Sequence, residues 1–500
     1  MPRRLPERSA RSSITDARSA RVLLALAGLA GAAGLIVLAR HAPPFREVSD
    51  GAVLEIYTLE ALRGRLLVGP YSRFGWHHPG PLYFYLEAPW YWASGLHTAG
   101  VQAGAIAINL TAAAVATWAL VASTRASIAV PVCVSMAWYT FRASDVLASA
   151  WNPHVIVLPL VAFVVVASTF CAAGGLSSLL WTIVLGSFVV QTHLGTAPVV
   201  AVLGLIAIAV RWRTIAVHWI AAGCVALFLW FPPLLDEVIH RPGNLTLIVD
   251  FFGHTAGGQP LARAAAAWGS MSAGVVRPGF VVATGVLLRS AARWPFVFAA
   301  AEVAALLAIG LLACRQHRPL AWLATMSAAA SLVALAATTR IHDQIIDHEI
   351  FWMSALGALN IGVIVGAAIG AFGRADQSDA RLTRIAAACA WLVIAALCLN
   401  EMRLVLNRPR TIDDHAVDLM TDEIETYTRS RNVTRPLFAI DQPMWEIAAG
   451  ALLRVDKAGG SFAVDQQWVT MFGDRFRETG REDGKATLGG SKAAPQLTTP

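Results

Sequence analysis

The sequence predicts an all-α polytopic membrane protein carrying a small extracytoplasmic α/β domain at its C-terminal end. Three observations lead there. Hydrophobic residues make up 56% of the 500-residue chain and charged residues only 14%, with a mean hydropathy of +0.57. That balance excludes an ordinary soluble enzyme. Apolar stretches of roughly twenty residues recur along the chain, each long enough to cross about 30 Å of hydrocarbon. After residue 403 the composition turns soluble.

The first element is a signal-anchor. Arg3, Arg4, Arg8, Arg11, Arg18 and Arg21 precede the apolar run Val22 to Ala39. The run exceeds a signal-peptide core and no small-residue cleavage site follows, so it reads as uncleaved, with the N-terminus in the cytoplasm. With this span at 21–40, further spans fall near 100–123, 127–141, 154–171, 177–196, 197–211, 214–235, 294–314, 319–339, 350–373 and 384–402, about eleven in all. The aromatic segment Pro81 to Leu96 is interrupted by Glu87 and Pro89. It reads as a helix lying in the membrane interface, where Tyr and Trp are favoured. Alternation puts Arg125, Arg211, Arg213, Arg315, Arg318, Arg374, Arg381 and Arg384 in cytoplasmic connections. The segments 41–99, 142–153, 236–293 and 340–349 then lie outside, together with everything after 403. This is the arrangement of a multi-pass protein of the cytoplasmic (inner) membrane.

The net charge of +7 sits in arginines scattered at span ends. That is an orientation signal and not a basic stripe, so nucleic acid is not an expected partner. Cys133, Cys171, Cys224, Cys314, Cys389 and Cys398 show no metal or redox spacing and read as small hydrophobes. Gly362, Gly366 and Gly370 recur every fourth residue of one span, the spacing of close helix packing.

The expected domains are a membrane domain over 1–402 with its first outer loop at 41–99, an α/β domain over 403–480, and a disordered tail over 481–500. Within the α/β domain Leu437 to Asp441 reads as a strand, Pro443 to Lys457 as a helix, and Ser461 to Val464 as a second strand.

Chemistry concentrates in the first outer loop. Asp50 opens a helix with apolar positions at Ala52, Ile56, Leu59, Leu62 and Leu66, and Glu55 is the second acid. Asp50 suits either an N-cap or a general base, and the two roles are compatible. Arg73, His77 and His78 lie within six residues, among prolines. Their ordinary reading is a rigid polar turn, and their chemical one is an anionic phosphate held by hydrogen bonds and positive charge. Asp145, Asn152 and His154 occupy an outer loop where polar groups often only end a helix. Gln191 and His193 lie near the outer end of an apolar helix, where polar groups face a cavity. Arg340 and His342 open a further outer loop, in which Asp343, Asp347 and Glu349 are close enough to share a proton or a cation. No metal-ligand spacing is met, no cofactor is assigned, and a divalent cation is left open.

The first loop resembles that of the C-type (GT-C) membrane glycosyltransferases, in the branch of the protein O-mannosyltransferases and the aminoarabinose transferases of lipid A. Asp50 matches the acid that opens their loop, and His78-Pro79-Gly80-Pro81-Leu82-Tyr83-Phe84-Tyr85 matches their aromatic segment with one inserted residue. Gly51 stands where the branch has a second adjacent acid, and Glu55 lies near the place of its other acid. The resemblance implies a polyprenyl-phosphate-linked sugar as donor and a glycan, lipid or protein acceptor at the outer membrane face. It implies inverting transfer with Asp50 as base and Arg73, His77, His78, Arg340 and His342 toward the leaving phosphate. Tyr83, Asp145, Asn152, His154, Gln191, His193 and Asp347 are further pocket candidates. A lipid or glycan transporter, or a glycan polymerase or ligase, is the alternative, although no inverted repeat is apparent.

Overall fold

A computed structural model describes residues 28–29, 31–254, 257–288, 293–372 and 379–499. The basic flank Arg3 to Arg21, the start of the first span and Arg374 lie outside the described residues. The described part is mostly helical. Helix α1 (31–39) leads to α2 (Ser49–Leu62), α3 (Leu82–Ala93), α4 (Thr98–Ser123) and α5 (Ala126–Arg142). Next come α6 (Asn152–Ala173), α7 (Leu176–Thr192), α8 (Ala197–Val217), α9 (Trp219–Ile239), α10 (Asn244–His254) and α11 (Leu261–Ser272). Then α12 (Trp294–Ala313), α13 (Arg318–Thr338), α14 (Met353–Phe372) and α15 (Asp379–Leu406) complete the bundle.

Among the described residues, 8 helices are long and apolar enough to cross a membrane. The sequence count was higher because α5 and α7 are each 17 residues long and the first span is only partly described. The chain is an integral membrane protein. Helix α6 is apolar all round and almost wholly enclosed, so it forms the bundle axis. At the periphery, Leu205, Phe228 and Leu311 leave more than half their surface exposed, as a lipid-facing shell requires. The glycine repeat does what its spacing predicts. A Cβ on Gly362 would lie 2.7 Å from Val132 Cα, and one on Gly366 would lie 2.9 Å from Ile128 Cα, so α14 and α5 touch backbone to backbone.

The C-terminal domain begins with α16 (Ile412–Arg431) and continues through β1 (Pro436–Ile440), α17 (Trp445–Lys457), β2 (Ala463–Val464), α18 (Gln466–Phe472), β3 (Gly484–Ser491) and β4 (Ala494–Thr498). The sheet order is β2-β1-β3-β4, with β4 antiparallel to β3 and the other pairs parallel. The 481–500 segment, expected to be disordered from its Gly, Ser and Thr content, instead supplies β3 and β4. Buried Ala486 and Leu488 give it the apolar alternation that composition hides.

This domain docks on α2. Lys457 Nζ lies 2.7 Å from Glu55 Oε1 and Arg63 Nη1 lies 3.0 Å from Asp456 Oδ1. Arg475 bridges Glu60 and Asp456. Tyr57 Oη donates to Thr470 O at 3.2 Å.

Candidate active site

The loop after α2 folds as a narrow hairpin. His78 N donates to Pro70 O at 2.8 Å, Gly69 N to His78 O at 2.9 Å, and Ser72 N to Trp76 O at 2.8 Å. Gly75, at φ +86°, closes its tip. A Cβ on Gly69 would sit 2.7 Å from three carbonyl oxygens, so only glycine allows the two arms to approach. Asn244, at the start of α10, grips the outer arm from both sides. Its Oδ1 accepts from His77 N at 2.8 Å and its Nδ2 donates to His77 O at 2.9 Å.

Side chains alternate across extended chain, so adjacent histidines face opposite ways. Trp76 and His78 line a cavity of about 670 Å³. His77 turns to the other side, where its Nε2 lies 3.0 Å from Tyr57 Oη. The cavity falls within the usual range for small-molecule sites, and its inner wall is apolar, with Ala201, Ile248, Ile350 and Met353.

Asp50 stands on one wall. It occupies the first turn of α2 but does not cap it. The N-cap is Val48, and no side chain caps the helix. The carboxylate instead accepts from Tyr71 Oη at Oδ1 and from Trp151 Nε1 at Oδ2, the latter at 3.0 Å. Two donors from separate segments fix its rotamer and leave a lone pair on each oxygen for a substrate. Trp151 is itself packed against His348, with ring centroids 5.0 Å apart.

Positive and donor groups occupy the remaining walls. Arg73 Nη2 pairs with Glu349 Oε1 at 3.1 Å. Arg340 is exposed at the cavity edge and makes no ion pair among the described residues. His78 Nδ1 accepts from Leu194 N at 3.0 Å, which puts its hydrogen on Nε2. Burial, helped by neighbouring His193, holds the His78 imidazole well below its ordinary range. Burial likewise pushes His193 down to about 3. Both rings are therefore neutral near pH 7, and the guanidinium groups supply the positive charge. His342 is buried, leans edge-on against Phe251 at 5.1 Å, and keeps its Nε2 without a partner.

Of the residues singled out from the sequence, Asp50, Arg73, His78, Asn152, His193, Arg340 and His342 meet at this cavity. The others are engaged elsewhere. Glu55 is sealed by Lys457, Tyr91 at 2.8 Å and Thr98 at 2.8 Å. His77 faces Tyr57 because of the hairpin alternation. Tyr83 is buried with its hydroxyl on Ala150 O. Asp145 is exposed in a 3-10 turn. His154 ties Ser149 to Ala283 O. Gln191 links Leu82 N to Leu229 O. Asp347 accepts from the amides of Thr284, Gly285 and Val286. With Asp347 on backbone and Glu349 on Arg73, the acids read as able to share a cation have other partners. No His/Cys/Asp/Glu group with metal-holding geometry occurs among the described residues.

Tyr71 and Trp151, the two donors to Asp50, were not among the site candidates drawn from the sequence. Trp151 is 101 positions from Asp50, and no spacing rule reaches across that interval. The Tyr71 contact follows only once the loop is known to be a hairpin folded back on α2.

No family model matches the chain, and no curated protein matches it in sequence. Among solved structures, ArnT from Cupriavidus metallidurans bound to undecaprenyl phosphate superposes with a TM-score of 0.51 at 12% identity, covering 93% of each chain. The apo state of the same protein matches with a TM-score of 0.48 at 13% identity, over 89% of this chain and 86% of that one. The chain thus shares an ArnT-like fold over nearly its whole length.

Proposed function

We propose that this protein is a membrane glycosyltransferase that moves a sugar from a polyprenyl-phosphate donor to a hydroxyl acceptor, with Asp50 as general base. The observation that carries the reading is the position of Asp50. Tyr71 and Trp151 orient its carboxylate on the wall of a cavity that also presents Arg73, Arg340 and the imidazoles of His78, His193, His342 and His348. The undecaprenyl phosphate bound by the ArnT of similar fold supports a polyprenyl phosphate in this cavity.

The chemistry follows from the groups present. Asp50 takes the proton of the acceptor hydroxyl as that oxygen attacks the anomeric carbon. The bond from that carbon to the phosphate oxygen breaks, and the polyprenyl phosphate leaves with the electron pair. Arg340 and Arg73 balance the charge that develops, and the Nε2–H of His78 donates to a phosphate oxygen. Direct displacement inverts the anomeric centre. Glu55 has no place in this scheme because it lies outside the cavity, bound to Lys457.

Asp50→Asn tests the base. It keeps size and removes the basic oxygen, and Asp50 caps nothing, so folding is unaffected. Transfer from a polyprenyl-phosphate sugar by the purified variant falls by roughly two to four orders of magnitude. A variant that transfers sugar at close to the normal rate overturns the proposal.

A further inference from the structure

The C-terminal domain repeats a short motif. Phe438-Ala439-Ile440-Asp441-Gln442 and Phe462-Ala463-Val464-Asp465-Gln466 are near copies, each followed within three residues by a tryptophan, Trp445 and Trp468. The copies run through β1 and β2, which are parallel neighbours in register Phe438↔Val464. The offset is two residues, which preserves the facing of each motif position. Both aspartates thus emerge at the carboxyl ends of adjacent parallel strands. The chain crosses from β2 past β1 to β3, so the reversal lies between β1 and β3, where Asp441 leans over Gly489. Open parallel sheets bind ligands in the crevice at such a reversal.

From this arrangement, and from the reading of the protein as a sugar transferase, we infer that the Asp441–Asp465 edge is a subsite for a neutral acceptor glycan. Trp445 and Trp468 stack with centroids 6.4 Å apart at 22°, and the half-buried Trp445 forms the outer layer of a flat platform. A sugar ring lays its C–H face on such a surface, while carboxylates and amides bind its hydroxyls. The polar groups are free for that task. Asp441 is exposed, and its carboxylate lies directly over Gly489, where no Cβ fits. Asp465 Oδ1 is buried without a partner, and its other oxygen accepts from Gln467 Nε2 at 3.1 Å.

Charge narrows the class. Two carboxylates repel phosphates and nucleic acids. Lys485 acts electrostatically on Asp465, and Arg477 Nη1 donates to Gln466 at 2.9 Å, so cationic side chains of this domain already stand beside the Asp465 half of the edge. Distance fits as well. From Asp465, α18 leads to Thr470, which holds Tyr57 and through it His77. Five helical residues span roughly 8 Å, so the edge lies within one short oligosaccharide of the contact that seats this domain on α2.

The test uses the full-length protein in lipid nanodiscs, probed with neutral manno-, galacto- and arabino-oligosaccharides of two to six residues. Saturation-transfer NMR and tryptophan fluorescence report binding. At least one series binds saturably, with affinity unchanged in about 0.5 M NaCl. Trp445→Ala and Asp441→Asn each weaken it roughly tenfold or more, whereas Trp138→Ala, on the lipid-facing side, does not. Asp441 is exposed and its side chain has no hydrogen-bond or ion-pair partner among the described residues, so its variant keeps the domain folded even where Trp445→Ala does not. Binding of polyprenyl phosphate is measured on the same samples. Oligosaccharide binding without lipid-phosphate binding upholds the glycan edge and removes the transferase reading. Lipid-phosphate binding with none of the three series bound at millimolar concentration overturns the edge alone. Oligosaccharide binding that survives Asp441→Asn also overturns it.

Discussion

Two donors converge on Asp50, and each is a separable test of its role. Trp151→Phe keeps an aromatic ring, though a smaller one, and removes the N–H that reaches Oδ2. A hydrogen bond to a charged group contributes about 1.5–3 kcal/mol, so kcat falls roughly tenfold or more. Donor KM changes little if the bond only aims the base, and steady-state kinetics separate the two. The buried imidazoles give a pH signature. Burial holds His78 and His193 below the ordinary value of 6.5, so the unfolded chain takes up protons that the folded one refuses. Stability is full above about pH 6.5 and declines as pH falls below it. Melting temperature therefore drops between about pH 7.5 and pH 5, and His193→Gln reduces the drop. A flat profile in the native protein rejects the neutral-histidine wall. How the sequence serves as a guide differs residue by residue. Asp50 was legible because it opens a loop between membrane segments, where a carboxylate is costly without a purpose. His77 was grouped with His78 because proximity in sequence ignores the two-residue alternation of extended chain. Glu55 has the right chemistry, but its Lys457 partner lies at the far end of the chain.

Elements were easier to foresee than their contacts. The spans follow from apolar length, and the β1–α17–β2 unit follows from turn residues and alternation. The strands in 484–498 were hidden, because a four-stranded sheet can draw an edge from a polar segment once its neighbours bury the other face. The glycine ladder of α14 was legible in spacing, though not the identity of its partner. It makes a graded prediction. Gly362→Ala drives a Cβ against the α5 backbone at Val132 and costs about 1–3 kcal/mol. Gly370→Ala meets only Ser127 Oγ at 3.4 Å and is tolerated. Thermal unfolding in one detergent ranks the two variants, and equal melting temperatures reject backbone contact as the reason for the repeat.

The whole molecule places the cavity loop and the C-terminal domain together, so both belong on one side of the membrane. From the basic N-terminal flank we propose that this side is the exterior. Glu425 is exposed on α16 and suits a labelling thiol. A Glu425→Cys thiol reacts with an impermeant maleimide in intact cells, and reaction only after permeabilisation reverses the orientation. The docking of that domain on α2 also imposes an order on manufacture. Lys457 is made 402 positions after Glu55, the carboxylate it neutralises. At translation rates of about 5–20 residues per second, that interval is roughly 20–80 seconds. Through that time the helix bearing Asp50 is already made, with Glu55, Glu60 and Tyr57 still without their C-terminal partners. A ribosome stalled anywhere in the membrane domain leaves a chain with spans in place and its first outer helix ungripped. The docking of the C-terminal domain, and not the insertion of the first loop, is the moment at which α2 acquires its partners.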